Sequence, residues 1–265
     1  MDYRHYFLKS KYADRLYMNV LRPAGYLALI YPREKFYISK NREKYKYLAE
    51  YRNKYKGKRC FIIGTGPSLK KEDLLSIKDE IFIGVNSLCL WKDILSDINY
   101  FFISDIVAYR KLYEDLPQGC FVSSHCLKTC GDLSASQFRV IPVCRFNYFV
   151  PYTERFSLDI TSCFYDFNSV VFIALQFAVY AGFKEIYLLG VDCNYSTEKI
   201  YAVDHGIRHR KEYMEDVGKN MIKGFAFVRQ FLQENEISTK IYNASSGGML
   251  EVFPRVNLQK IIKGE

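Results

Sequence analysis

The chain has 265 residues, of which 49% are hydrophobic and 25% are charged, and these proportions exclude a disordered, collagenous or fibrous protein. The length suits one full α/β domain with an appendage, or two small domains. The net charge of +9 is concentrated in residues 1–58, which hold fifteen Lys or Arg and five Asp or Glu, whereas the remainder carries a balance of −1. A near-neutral domain is therefore expected to follow a strongly basic segment.

Residues 1–56 are predicted to form a basic, Tyr-rich helical extension, in which Pro23 and Pro32 interrupt the helices. Tyr and Phe alternate with Lys and Arg there, as they do in segments that lie at a bilayer interface. We expect this extension to contact an anionic membrane surface, and a solvated helix pair packed on the main domain is the structural alternative. Nucleic acid is not expected as a partner because no recognisable nucleic-acid-binding module accompanies the basic residues.

The expected location is the cytoplasm, with the protein peripheral at the inner face of the membrane. No apolar run approaches the roughly 20 residues that span a bilayer, and the first residues lack the charged-then-apolar order of a secretory signal. The eight cysteines lack the paired spacing of a zinc ribbon. They are predicted to be reduced, mostly buried thiols, and no metal site is expected.

Residues 57–265 are predicted to form a Rossmann-like α/β domain. Short apolar runs alternate with helical stretches, a pattern typical of a doubly wound, mostly parallel sheet. A buried helix is predicted over 168–180 and an amphipathic helix over 216–234. The predicted strands are 60–63, 81–85, 98–104, 120–123, 139–142, 185–190 and 240–243.

A glycine-rich turn follows the first predicted strand and precedes a helix, and its residues are Gly64, Thr65, Gly66, Pro67 and Ser68. Glycines let the backbone approach a ligand closely, and a helix N-terminus offers N–H groups to a phosphate. The turn lacks the third glycine of the Rossmann fingerprint and the Lys of a Walker loop. We predict that it contacts a nucleotide, and a tight turn with Ser68 as the helix cap is the alternative.

Two further positions are predicted at the same edge of the sheet. Asn86 follows the second strand, where its amide is expected to contact a base or a sugar, and a simple turn residue is the alternative. Asn168 and Ser169 open the buried helix, where they either cap it or donate to a phosphate. All three are predicted nucleotide contacts.

The loop after the strand at 185–190 carries the densest set of reactive side chains. Asp192 follows that strand and is also a predicted nucleotide contact, and beyond it lie Tyr195, Tyr201, His205 and His209. Carboxylates, phenols and imidazoles are the groups of acid–base and leaving-group chemistry. The Glu of a His-Glu-x-x-His site is absent, which argues against a zincin. Two solvent-facing histidines in a loop are the alternative.

Three segments resemble the 6-hydroxymethylpterin diphosphokinase-like family, many of whose bacterial members are similar to surface-polysaccharide proteins. They are CFIIGTGPSL at 60–69, GFKEIYLLGVD at 182–192 and IYNASSGGMLEVFP at 241–254. The first two also resemble bacterial CMP-sialic-acid-dependent sialyltransferases of the lipooligosaccharide type. The first resemblance covers about residues 57–260, and the second is patchier.

The sialyltransferase resemblance implies a CMP pocket at the glycine-rich turn and Asn86. It implies that Tyr195 and Tyr201 hold the departing phosphate, with His209 as the base and His205 as the first member of the histidine pair. The implied activity is a metal-independent glycosyltransferase of surface polysaccharide synthesis. Its donor is a nucleotide-activated sugar similar to CMP-sialic acid, its acceptor is a glycan or glycolipid, and it needs no cofactor.

Two other functions stay open from the sequence. A pyrophosphokinase of the 6-hydroxymethylpterin type would use ATP and Mg²⁺, with Asp192 holding the metal. A non-catalytic protein would instead recruit polysaccharide enzymes to the membrane through residues 1–56. A homo-oligomeric state is compatible with each of these functions.

Overall fold

The computed structural model describes residues 15–130, 137–150, 154–195, 200–204, 206–207 and 211–264. The strands are β1 (Arg59–Ile63), β2 (Phe82–Val85), β3 (Tyr100–Ile103), β4 (Phe121–Ser123), β5 (Arg139–Ile141), β6 (Val143–Cys144), β7 (Phe164–Tyr165), β8 (Glu185–Leu189) and β9 (Lys240–Asn243). Seven of them form one sheet in the order β5-β4-β3-β2-β1-β8-β9, and β6 pairs with β7 separately.

The prediction of a doubly wound, mostly parallel sheet is confirmed. Ile62 on β1 is in register with Ile83 on β2 and with Leu188 on β8, and both pairings are parallel. The strand order reverses between β1 and β8, so the chain continues from β1 towards one edge of the sheet and from β8 towards the other. Such a reversal opens a crevice at the carboxyl edge of the sheet.

Helices cover both faces of the sheet. The α-helices are Arg22–Gly25, Tyr31–Lys40, Lys71–Ser76, Lys92–Leu95, Ile106–Leu112, Ser124–Cys130, Phe146–Phe149, Val170–Tyr180, Lys211–Glu234 and Leu258–Lys263. Two π-helical turns span Tyr17–Leu21 and Tyr26–Ile30, and 3₁₀ segments span Arg42–Tyr51, Asn86–Leu90 and Tyr113–Asp115.

The core lies in two layers because side chains alternate along each strand. On β1, Cys60 and Ile62 join the layer that contains the helix Val170–Tyr180, whereas Phe61 and Ile63 join the opposite layer. Every residue of the helix Val170–Tyr180 is buried. This burial explains why the helix is apolar all round rather than on one face.

The N-terminal segment completes the first of these layers. Tyr26, Leu48 and Tyr51 are each at most 3% exposed. The Tyr51 ring lies 5.1 Å from that of Phe177, and the Tyr47 hydroxyl donates to the Val140 carbonyl at 3.0 Å. The inner face of this segment is therefore part of the core.

The prediction that Pro23 and Pro32 interrupt the helices is wrong. Helical structure continues from Tyr17 to Lys40, and each proline is the second residue of an α-helical stretch that follows a π-helical turn. A proline inside an α-helix removes one hydrogen bond and clashes with the carbonyl four residues earlier. The wider π turn shifts the bonding pattern to five residues and so accommodates each ring.

The eight cysteines carry free thiols, and seven of them are buried, as predicted. Across the ranges given above, no helix combines the length and the apolar character needed to cross a membrane.

Candidate functional site

A cavity of about 400 Å³ opens at the carboxyl ends of the parallel strands. Its wall is built by the loops that follow β1, β2, β3, β4 and β8, by the start of the helix Val170–Tyr180 and by one side of Lys211–Glu234. The cavity straddles β1 and β8, where the strand order reverses, and this is where open α/β sheets bind ligands. Its volume lies within the range of about 300–1,000 Å³ that is typical of small-molecule sites.

Most of the residues predicted from the sequence line this cavity. Lining residues are Gly64, Thr65, Gly66, Pro67, Asn86, Asn168, Ser169, Asp192, Tyr195 and Tyr201. Ser68 lies behind the wall and contacts Asp192. The two predicted histidines, His205 and His209, lie outside the described residues.

The glycines of the turn allow the loops after β1 and β8 to approach each other. The Gly64 N–H donates to the Leu189 carbonyl at 2.8 Å, and the Gly66 N–H donates to the Gly190 carbonyl at 2.7 Å. A Cβ atom on Gly66 would lie 2.7 Å from the Asp192 carboxylate. Glycine is therefore required here for contact between two strand ends, in addition to any contact with a ligand.

Asp192 fixes the turn through its carboxylate. The Ser68 N–H donates to Oδ2 at 2.8 Å, and the Ser68 hydroxyl donates to Oδ1. The next helix begins at Lys71 and has no side-chain cap. The alternative in which Ser68 caps that helix is therefore wrong, because its hydroxyl is directed to a carboxylate on β8's loop instead.

The carboxylate that the pyrophosphokinase alternative assigns to Mg²⁺ is already engaged in hydrogen bonds. Both oxygens of Asp192 accept hydrogen bonds from Ser68. Within the part of the chain that the structure describes, no three His, Cys, Asp or Glu side chains are grouped as metal ligands. The carboxylate predicted to hold the metal has a structural role.

Residues 241–254, the third segment of the family resemblance, support the loop that carries Asp192. The Met249 N–H donates to the Asp192 carbonyl at 2.7 Å, and the Val191 N–H donates to the Ser245 hydroxyl at 3.2 Å. Gly248 has a φ of 87°, and a Cβ there would meet the Asp192 backbone. The Ser-Ser-Gly-Gly motif thus supports the cavity wall without lining it.

Asn86 and Asn168 both have left-handed backbones, with φ values of 50° and 57°. The Asn86 Oδ1 atom is buried and has no hydrogen-bond partner among the described groups. Buried acceptors are nearly always paired, so this one is suited to a donor on a ligand. The Ser169 hydroxyl accepts from the Val171 N–H at 3.3 Å, so the predicted capping role is observed.

Tyr195 and Tyr201 lie side by side, with ring centroids 6.4 Å apart. The Tyr195 hydroxyl donates to the Met221 Sδ at 3.5 Å, and a thioether is a weak acceptor. Burial raises the pKa of Tyr195 well above its usual value. Its hydroxyl therefore stays protonated and can turn to a stronger acceptor.

The structure adds a group of charged residues that the sequence analysis missed. Arg145 lines the cavity, and its Nε donates to Glu34 Oε1 at 2.8 Å while its Nη1 lies 2.9 Å from His125 Nε2. Arginine only donates, so His125 Nε2 is the acceptor and this imidazole is neutral. Burial, together with Arg145, lowers the pKa of His125 to about 4.

Asp166 lies in the same part of the wall, directly after β7. Its Oδ1 atom is buried without a hydrogen-bond partner among the described groups. Burial and the neighbouring Asp105 carboxylate raise the pKa of Asp166 to about 6. We call His125, Arg145 and Asp166 the charged end of the cavity, and the Gly64–Ser68 turn with Asp192 the turn end.

The N-terminal segment takes part in the charged end through Glu34. This carboxylate accepts from the Tyr26 hydroxyl at 2.6 Å as well as from Arg145, which is 111 residues away in the chain. No local motif marks such a contact. Asp166 directly follows β7, as Asn86 directly follows β2, but β7 has only two residues and leaves no pattern in the sequence.

The chain gives no significant match to protein-family models, to curated proteins or to solved structures. The function is therefore inferred from the geometry of the cavity, and the resemblances drawn from the sequence stay predictions.

Proposed function

We propose that the protein is a glycosyltransferase that uses a nucleotide-activated sugar, similar to CMP-sialic acid, in bacterial surface polysaccharide synthesis. One observation carries this proposal. A single cavity at the β1–β8 reversal gathers the glycine-rich turn, Asn86, a helix N-terminus and two tyrosines. These are groups that can hold a nucleotide and stabilise a departing phosphate.

The nucleotide is proposed to lie across Asn86 and the start of the helix Val170–Tyr180. This helix has eleven residues, and its N-terminus is at the cavity wall. The positive end of the helix dipole favours a phosphate there. The unpaired Asn86 Oδ1 accepts a hydrogen bond from a ribose hydroxyl or a base amino group.

The two tyrosines are proposed to stabilise the leaving group. Transfer places additional negative charge on the phosphate as its bond to the anomeric carbon breaks. Among the described residues, the Tyr195 hydroxyl donates to a thioether, and the Tyr201 ring lies beside it. We expect both hydroxyls to donate to that charge. Donors placed in this way typically contribute about 100-fold or more to turnover.

Calorimetry with CMP, CDP, UDP and ATP plus Mg²⁺ tests the nucleotide assignment. We expect CMP to bind most tightly and Asn86→Ala to weaken it by about tenfold, the value of one hydrogen bond. Leu75→Ala is the matched control because this side chain is 56% exposed and does not line the cavity. Preference for ATP with Mg²⁺ would favour the pyrophosphokinase instead.

Release of CMP from CMP-sialic acid separates an enzyme from the non-catalytic alternative. A recruiting protein would bind the nucleotide without releasing CMP from the donor. Substitution of His209 or His205 by Ala tests the predicted base in the same assay, and loss of release only in His209→Ala would support the implied order of the pair.

We further propose that the protein acts at an anionic membrane surface through its N-terminal segment. The outer side of the helical run Tyr17–Lys40 is apolar: Leu29 is 63% and Phe36 is 70% exposed. Further exposed apolar residues in this region are Leu16, Val20, Leu21 and Leu27. Arg33, Lys35 and Lys40 are exposed along the same run. An apolar surface with a basic margin suits a bilayer interface, where each cation contributes about 1 kcal/mol.

Point substitutions test this attachment better than a truncation, since removing residues 1–50 would also remove core residues such as Tyr26 and Leu48. We expect Leu29→Ser combined with Phe36→Ser to abolish sedimentation with vesicles that contain phosphatidylserine, without lowering the melting temperature. Leu75→Ser is the control because Leu75 is equally exposed but lies on the opposite layer. Unchanged sedimentation of the double variant would refute the proposal.

A further inference from the structure

The Asp166 carboxyl at the charged end has a buried oxygen without a partner among the described residues. The Asp166 N–H donates to the Cys144 carbonyl at 3.1 Å, which fixes the backbone at the cavity wall. Its Oδ1 is enclosed and unpaired. By contrast, Asp105 Oδ1 accepts from the Ala108 N–H at 2.7 Å and caps a helix. Unlike Asp105 Oδ1, Asp166 Oδ1 therefore accepts no hydrogen bond from the described residues.

Asp166 follows β7 and lies two residues before Asn168, so it is close to the proposed phosphate site at the start of the helix Val170–Tyr180. A carboxylate beside the departing phosphate is also near the anomeric carbon to which that phosphate is bonded. The reacting group still needed there is the hydroxyl that attacks the sugar.

We propose that Asp166, in place of the predicted base His209, binds the attacking hydroxyl and accepts its proton, so that the charged end of the cavity is the acceptor subsite. This proposal rests on the proposed glycosyl transfer. The acceptor O–H bond breaks and its proton moves to the Asp166 carboxylate. The acceptor oxygen forms the new bond to the anomeric carbon, and the bond between that carbon and the phosphate oxygen breaks with its electron pair remaining on the nucleotide.

The surroundings of Asp166 suit this role. Burial and Asp105 raise its pKa, Arg145 opposes the rise, the Phe167 N–H also lowers it, and Glu34 raises it weakly. The Asp166 carboxyl in turn contributes to raising the pKa of the Cys126 thiol. A carboxyl with a pKa of about 6 is ionised near neutral pH yet is more basic than an ordinary aspartate. Arg145, held by Glu34 and His125, can position the same acceptor.

Release of CMP from CMP-sialic acid, with water as the acceptor, is the probe reaction. We expect Asp166→Asn to lower CMP release by about 100- to 10,000-fold while CMP affinity by calorimetry changes less than twofold. Retained affinity also shows that the variant is folded. Turnover within threefold of the wild type would overturn the role of Asp166 and leave the transferase proposal standing. A wild-type protein that binds CMP but releases none from the donor would overturn both.

The pH profile provides a second measurement that a purely structural role would not move. Wild-type turnover should rise through a pH of about 6 as Asp166 ionises. Asp105→Asn keeps the helix cap, because Asn and Asp are equally good N-caps, but removes the neighbouring negative charge. We expect this variant to move the rise to lower pH. An unmoved rise would overturn the assignment.

Discussion

The two ends of the cavity differ in how completely their polar groups are paired. At the turn end, Asp192 and Ser68 satisfy each other, and the loops after β1 and β8 are joined by backbone hydrogen bonds. Towards the charged end, Asn86 and Asp166 each have a buried oxygen with no partner among the described residues. Paired groups build the wall, and unpaired groups are the ones suited to a ligand. Substitutions at the two ends should therefore have opposite effects.

The largest effect is expected at Asp192. Asp192→Ala removes the acceptor of two hydrogen bonds and leaves the Ser68 N–H unpaired, so we expect the free energy of unfolding to fall by about 3 kcal/mol. Urea denaturation measures this loss. Asp192→Asn keeps one acceptor and should lose about half as much. A loss below 1 kcal/mol in Asp192→Ala would contradict the structural role.

The second effect concerns turnover. Tyr195→Phe should lower CMP release from CMP-sialic acid by about 100-fold, and Tyr201→Phe should do so to a similar extent. CMP affinity should stay largely unchanged, since the hydroxyls act on charge that develops during transfer. Stability should change little in Tyr195→Phe because the hydrogen bond described for its hydroxyl is to the Met221 thioether, a weak acceptor. Full activity of both variants would remove the tyrosines from the mechanism.

A third effect is a pH dependence in which two neighbours oppose each other. The pKa of His125 is lowered to about 4, because the fold favours its neutral form. This favourable contribution to the free energy of unfolding is lost as the pH falls from about 6.5 to 4. The pKa of Asp166 is raised to about 6, so the fold disfavours its ionised form and this penalty is relieved as the pH falls from 6 to 4. The two contributions should largely cancel in the wild type.

Removing either partner should expose the other contribution. When the pH falls from 6.5 to 4, the free energy of unfolding of Asp166→Asn should decrease by about 1 to 2 kcal/mol more than that of the wild type. This value allows for screening by solvent. His125→Gln should change in the opposite direction. Urea titrations at both pH values measure the difference, and parallel curves for all three proteins would show that these groups do not titrate as described.

The smallest effect is expected at Asn86. Asn86→Gly removes an unpaired acceptor and supplies a residue that adopts the left-handed φ of 50° without cost, so it should stabilise the protein by about 0.5 kcal/mol. The same variant should bind CMP about tenfold more weakly. Thermal unfolding and calorimetry measure the two changes. Lower stability would indicate that the Asn86 amide is structurally required.

The turn end could be predicted from the sequence, whereas the charged end could not. Cys60 to Ile63 is wholly apolar, which indicates a strand buried on both faces, and the parallel topology then brings its turn and Asn86 to one edge. Asp166 and Arg145 follow β7 and β6, which have only two residues each and show no periodicity. Glu34 reaches Arg145 from a distant part of the chain.

Sequence reasoning also erred where chain geometry was unusual. Proline normally interrupts a helix. The residues around Pro23 and Pro32 give no sequence signal for the π-helical turns that accommodate them. Likewise, Ser68 has the spacing of a cap, and only the fold reveals that Asp192 is near enough to accept its hydroxyl. Both errors concern contacts that depend on three-dimensional arrangement rather than on local pattern.

The distribution of the thiols makes the native chain suitable for attaching a reporter dye. Seven of the eight cysteines are buried, and Cys130 is the partly exposed one. Burial raises the pKa of Cys60 and Cys120, which further suppresses their reaction with maleimides. Cys130 ends the helix Ser124–Cys130, whose second residue is His125 of the charged end. A single fluorophore can therefore be placed on the element that borders the cavity, and its emission would follow ligand arrival without any engineered cysteine.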